Sequence, residues 1–139
     1  MGAATVLMAC SLELPANVRG ILADCPYSAP SAIIRKVCKD IGYPADIVYP
    51  FVWLGAILFG HFRLDACNAK DAVQHANIPI LLIHGEDDRF VPCDMSVEIA
   101  QHCPNAQLFT FPNAGHGLSY LMDQKRYEQI CSQFLADIF

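Results

Sequence analysis

Apolar residues come in two distinct patterns along this chain, and the difference predicts its elements. Pro79-Ile80-Leu81-Leu82-Ile83-His84 is an unbroken apolar run with no alternation, the mark of a central parallel strand covered on both faces. Gly85 ends it. Residues 18–23 and 106–111, less continuously apolar, also read as strands. Helical spacing appears in residues 121–138, with Tyr127, Ile130, Phe134, Leu135 and Ile138 on one side. Helices are also predicted over residues 2–12, 32–41 and 92–101, with Ser31 as the N-cap of the second and Pro92 in the first turn of the third. A short helix is expected near residues 69–75.

Residues 46–62 read as a helix that is mostly buried. They hold the longest apolar run, IVYPFVWLGAILFG. At 14 residues it falls short of the ~20 needed to span a bilayer, so no membrane span is expected. Alternation of helices and strands implies an α/β fold with a parallel sheet and right-handed crossovers. No repeat, linker or low-complexity segment interrupts the single domain over 1–139.

Composition narrows the function. Hydrophobic residues make up 54% and charged residues 17%, richer in apolar groups than an ordinary soluble domain. A sheet buried on both faces, or a piece of a larger fold, accounts for that excess. The net charge of -5 and the absence of a Lys/Arg run leave no electrostatic footprint for nucleic acid. Seven cysteines, an odd number with no C-x-x-C pair, suggest neither a disulfide framework nor a metal knuckle. Buried thiols and the lack of a basic n-region point to a reducing, cytoplasmic setting. No histidine pair has metal-site spacing, and no metal or cofactor is expected.

Two loops carry candidate chemistry. His84-Gly85-Glu86-Asp87-Asp88 places carboxylates just past the end of a predicted strand, where sites in parallel sheets lie. Asn113-Ala114-Gly115-His116-Gly117 follows the next strand and presents His116 between two glycines. The order acid then histidine matches the last two members of a Ser, Asp, His triad. Asp87 and Asp24 are alternative acids. His84 reads as structural, bonding backbone near the strand end. Cys25 also stands at a strand end and is a weaker nucleophile candidate.

HGEDDRFVP, a strand, and then NAGHG together resemble the C-terminal third of the α/β-hydrolase superfamily, most closely its prolyl-oligopeptidase-like and esterase-like branch. Met1-Gly2-Ala3-Ala4-Thr5 is similar to the segment that follows the nucleophile in that branch. The resemblance implies that Asp88 is the triad acid and His116 the base. It implies that the backbone N–H of Met1 is an oxyanion donor. It makes residues 30–77 a helical cap-like insertion, with Tyr27 and Trp53 at the substrate. The substrate would be a small ester, thioester or peptide.

No G-x-S-x-G occurs in the sequence. The resemblance therefore implies a chain that begins just past its serine and lacks activity by itself, since losing a triad nucleophile costs ~10⁶ in rate. A module that binds without catalysing is the alternative. The strand over residues 18–23 would be an unpaired edge, prone to self-association.

Overall fold

A computed structural model describes all 139 residues, Met1 to Phe139. Three parallel strands form its centre: β1 (Ile21–Asp24), β2 (Ile80–Gly85) and β3 (Ala106–Phe111). They lie side by side in that order, Ile21 opposite Ile80 and Ile80 opposite Ala106. All six residues of β2 are buried. Period-two geometry divides them between two cores. Ile80 and Leu82 pack with Leu7, Ile21, Ala23, Val73 and Ile99 on one face. Leu81 and Ile83 pack with Phe111, Ala114, Phe134 and Ile138 on the other. The lack of alternation in the sequence is thus the direct trace of a strand with no wet face.

The first core is covered by α1 (Gly2–Met8), α4 (Ala69–Ala72) and α5 (Asp94–His102), the second by α7 (Gln124–Ile138). Asp123 caps α7, its side chain accepting from the Arg126 N–H. Leu135 is exposed, so the buried stripe of α7 is narrower than its sequence implied. On β1, Leu22 points to the second face and stays 39% exposed, although α7 touches the chain at Gly20 and bonds Asp24 through Tyr127.

Local boundaries differ from expectation where capping decides them. α2 covers Pro30–Asp40, with Ala29 at its N-cap and Pro30 in the first turn; Ser31 lies inside the helix. Proline suits that place because its missing N–H would have had no partner. The predicted helix over residues 2–12 closes early, its last turn tightening into a 3-10 turn at Ala9–Ser11. A further helix, α6 (Ser119–Met122), precedes α7.

The larger correction concerns α3 (Ala45–Leu58). It is helical, but its only buried residue is Ala45. Ile47, Phe51, Leu54 and Leu58 are exposed, as is Phe59 just beyond. The helix is pinned to α2 by the Arg35–Asp46 ion pair and by the Arg35 guanidinium over the Tyr49 ring, and it stands off the sheet. Apolar sequence creates a demand for burial but cannot supply the surface that meets it. No helix is long and apolar enough to cross a membrane.

Candidate active site

The carboxyl ends of β2 and β3 hold the two candidate loops together, and Gly85 is the reason they can meet. The Glu86 N–H donates to the Phe111 carbonyl at 2.9 Å and the Asp87 N–H to the Ala114 carbonyl at 3.0 Å. A β-carbon on Gly85 would lie 2.3 Å from the Ala114 oxygen, so only glycine admits this backbone approach. Asn113 and Gly117 take left-handed backbone at φ 58° and 66°, bending the loop so that His116 returns over the strand ends.

Asp88 is buried, and every one of its polar contacts has an identifiable source. Its Oδ1 accepts from the Phe90 N–H at 2.9 Å and the Val91 N–H at 2.8 Å. Its Oδ2 accepts from His116 Nδ1 at 2.7 Å. Burial alone would raise the carboxyl. The hydrogen bonds from Val91, His116 and Phe90 outweigh it and hold Asp88 below its ordinary value. A carboxylate can only accept, so Nδ1 carries the proton and Nε2 of the neutral ring is left bare. The His116 side chain is 40% exposed, and Phe90 packs edge-on against its ring at 5.2 Å between centroids.

His84 is fully buried beneath the pair. Its Nε2 lies 2.8 Å from the Val91 carbonyl, and its Nδ1 lies 2.6 Å from Ser96 Oγ. Because the carbonyl can only accept, Nε2 holds the proton and Nδ1 of the neutral ring accepts from the serine. The same Nε2 is 3.3 Å from Asp88 Oδ2 and steadies the carboxylate from below.

The other sequence candidates separate from this pair. Asp87 is exposed and makes no side-chain hydrogen bond to His116. Asp24 accepts instead from the Tyr127 hydroxyl at 3.1 Å and the Cys25 thiol at 3.2 Å. Burial, together with the charge of Asp24, pushes the Tyr127 hydroxyl up. Tyr27 is half-buried just beyond β1, and burial raises its hydroxyl too. Trp53 lies half-buried in α3. Neither makes a hydrogen bond or ring contact with Asp88 or His116. Met1 is 91% exposed and precedes the first turn of α1. Four concavities of about 200 to 540 Å³ lie on other surfaces, and neither Asp88 nor His116 lines them. Of the pair, His116 reaches the surface while the Asp88 carboxylate lies buried beneath it.

Cys25 stands at a strand end as expected, but its place beside Asp88 and His116 was not foreseen from the sequence. It follows β1 with left-handed backbone at φ 53°, uncommon for a residue with a side chain. The Gly117 N–H donates to its sulfur at 3.4 Å. One donor atom each from Cys25, Asp88 and His116 falls within 4.8 Å of the others. Burial pushes the thiol up to about 12. The backbone N–H groups of Gly85 and Gly117 oppose that rise, and Asp24 adds to it. These residues are 25, 88 and 116 in the chain, so no local spacing could have grouped them.

A family model described as alpha/beta hydrolase fold matches residues 48–121. The chain belongs to the alpha/beta hydrolase fold family. Among curated relatives of this α/β-hydrolase chain, the 2-hydroxymuconate semialdehyde hydrolase of Pseudomonas putida is 39% identical over 57 residues, covering 41% of this chain and 20% of that protein. RutD of Stutzerimonas stutzeri, named as a carbamate hydrolase, is 29% identical over 81% of this chain and 52% of its own length. The chain thus spans about a fifth to about half of the relatives it matches.

Solved structures agree on the fold. An esterase from Pyrococcus furiosus superposes with a TM-score of 0.68 at 19% identity, over 98% of this chain and 50% of that one. The esterase domain of a Rhodothermus marinus protein gives 0.66 at 22% identity, over 96% and 55%.

Proposed function

We propose that Asp88 and His116 are the acid and base of a Ser-Asp-His hydrolase that cleaves ester, thioester or peptide bonds. The observation that carries this reading is the 2.7 Å hydrogen bond from His116 Nδ1 to Asp88 Oδ2 at the carboxyl ends of parallel strands. Asp88 fixes the tautomer in which Nε2 is bare. That nitrogen takes the proton of a serine hydroxyl as the serine attacks the carbonyl, and then returns it to the leaving group. Asp88 steadies the imidazolium between the two steps.

In this reading the serine belongs to chain outside these 139 residues, since no G-x-S-x-G is present. The Met1 N–H serves as an oxyanion donor. Residues 30–77 act as a cap, and Tyr27 and Trp53 contact the substrate. The protein works in the cytoplasm. The esterase-like and prolyl-oligopeptidase-like branch fits the two loop motifs best.

Two measurements test the proposal. The 139-residue chain, given a chromogenic acetyl ester, is expected to turn over at background, about 10⁶ below an intact triad. The product of the reading frame extended upstream is expected to label with a fluorophosphonate probe. There, His116→Ala should abolish labelling and Asp88→Asn should cut kcat about 10⁴-fold. Labelling that ignores His116→Ala, or an extended product that never labels, would favour a module that binds without catalysing.

A further inference from the structure

We infer that Cys25, Asp88 and His116 form a binding site for a soft divalent cation of the zinc class. Three donors of different chemistry converge from three separate chain segments, and their ligating atoms lie within 4.8 Å of one another. A thiolate, an imidazole and a carboxylate make a donor set that suits zinc over magnesium or calcium. In a tetrahedral site with ordinary zinc bond lengths, such donors sit roughly 3.3 to 3.6 Å apart. Side-chain shifts of about an ångström reach that geometry, with the Asp88–His116 separation opening from 2.7 Å.

The surroundings of Asp88 are already arranged for the task, while the Cys25 thiol, which donates to Asp24 at 3.2 Å, gives up that contact and its proton when the ion binds. The Phe90 and Val91 N–H groups hold Asp88 by Oδ1, which leaves Oδ2 to face the cluster. His84 steadies Oδ2 from beneath at 3.3 Å. The Gly117 N–H at 3.4 Å offers a thiolate on Cys25 a hydrogen bond. Outer contacts of this kind fix ligand orientation in metal sites. Cys25 and Asp88 are buried while His116 is part-exposed, so an ion enters past the imidazole and keeps water in its fourth position. On binding, the thiol proton leaves to solvent, and so does any proton held by the ligating ring nitrogen.

The site needs only its three donors and stands whether or not the catalytic proposal does. If that proposal holds, the ion engages the imidazole that would handle the serine proton, and zinc becomes a reversible inhibitor.

Cobalt(II) is the probe, added to the reduced, metal-free 139-residue chain. One equivalent is expected to produce a near-ultraviolet thiolate-to-cobalt absorption, which zinc then bleaches. The band should persist in a variant with Cys25 as its sole cysteine. It should vanish in Cys25→Ser, and affinity should fall at least about tenfold in His116→Ala, a change at an exposed residue that leaves the core intact. Absence of the band in the parent chain, its survival in Cys25→Ser, or unchanged affinity in His116→Ala would each overturn the inference. In the extended enzyme, zinc that blocks fluorophosphonate labelling would link the site to catalysis; labelling unaffected by bound zinc would refute only the inhibitory role.

Discussion

At the level of single residues, Asp88 couples the candidate site to stability. Its carboxyl is held below the ordinary value in the folded chain, so the unfolded chain binds that proton more tightly. The stabilisation is complete above the unfolded value of about 4 and is lost as pH falls through the lower folded value. Urea titrations across that acid range should show Asp88→Asn with a flatter dependence on pH than the parent. Cys25 makes the opposite kind of statement. Burial keeps it a thiol at neutral pH, so iodoacetamide mapped by mass spectrometry should leave it unmodified in the folded chain and modify it in urea. The Asp88–His116 pair was legible because each residue sits in a local motif at a strand end. Cys25 was not, because its place beside them depends on a left-handed turn that no motif announces.

At the level of elements, the tightest constraint is the contact between the end of β2 and the loop after β3. Gly85→Ala would drive a β-carbon into the Ala114 carbonyl, and backbone cannot rotate aside as a side chain can. The expected cost is about 1–3 kcal/mol in denaturant titration. The His116 ring protons should also lose the NMR signature of a hydrogen-bonded Nδ1. The existence of the three strands could be read from the sequence as largely apolar segments between helical ones, while their order, β1-β2-β3, is a finding of the structure. The environment of α3 could not be read either. Its residues are apolar all round, so no polar face marked which side meets solvent, and the sequence carries no statement about what surface lies opposite. Phe51→Ser should therefore change stability by less than about 0.5 kcal/mol despite the residue's size, because Phe51 is already 71% exposed.

At the level of the whole molecule, a three-stranded sheet has two edges, and β1 and β3 form them. Leu22 adds exposed apolar surface beside the β1 edge, and α3 adds more. Such surfaces favour association. Sedimentation velocity should show a weight average that rises with concentration, and Leu22→Lys should reduce that rise. A single species that stays monomeric at every concentration would count against it.

The complete burial of β2 has a further consequence, for motion. Its amides are covered by a core on each side and paired to a strand on each side, so they should exchange with deuterium only when the whole sheet opens. The loop bearing Asp88 springs from that slow-exchanging strand, while α3 should exchange by local fraying. The rim where acid and histidine meet is thus anchored in the part of the molecule that opens last, and its geometry should outlive the loss of the peripheral helices on heating.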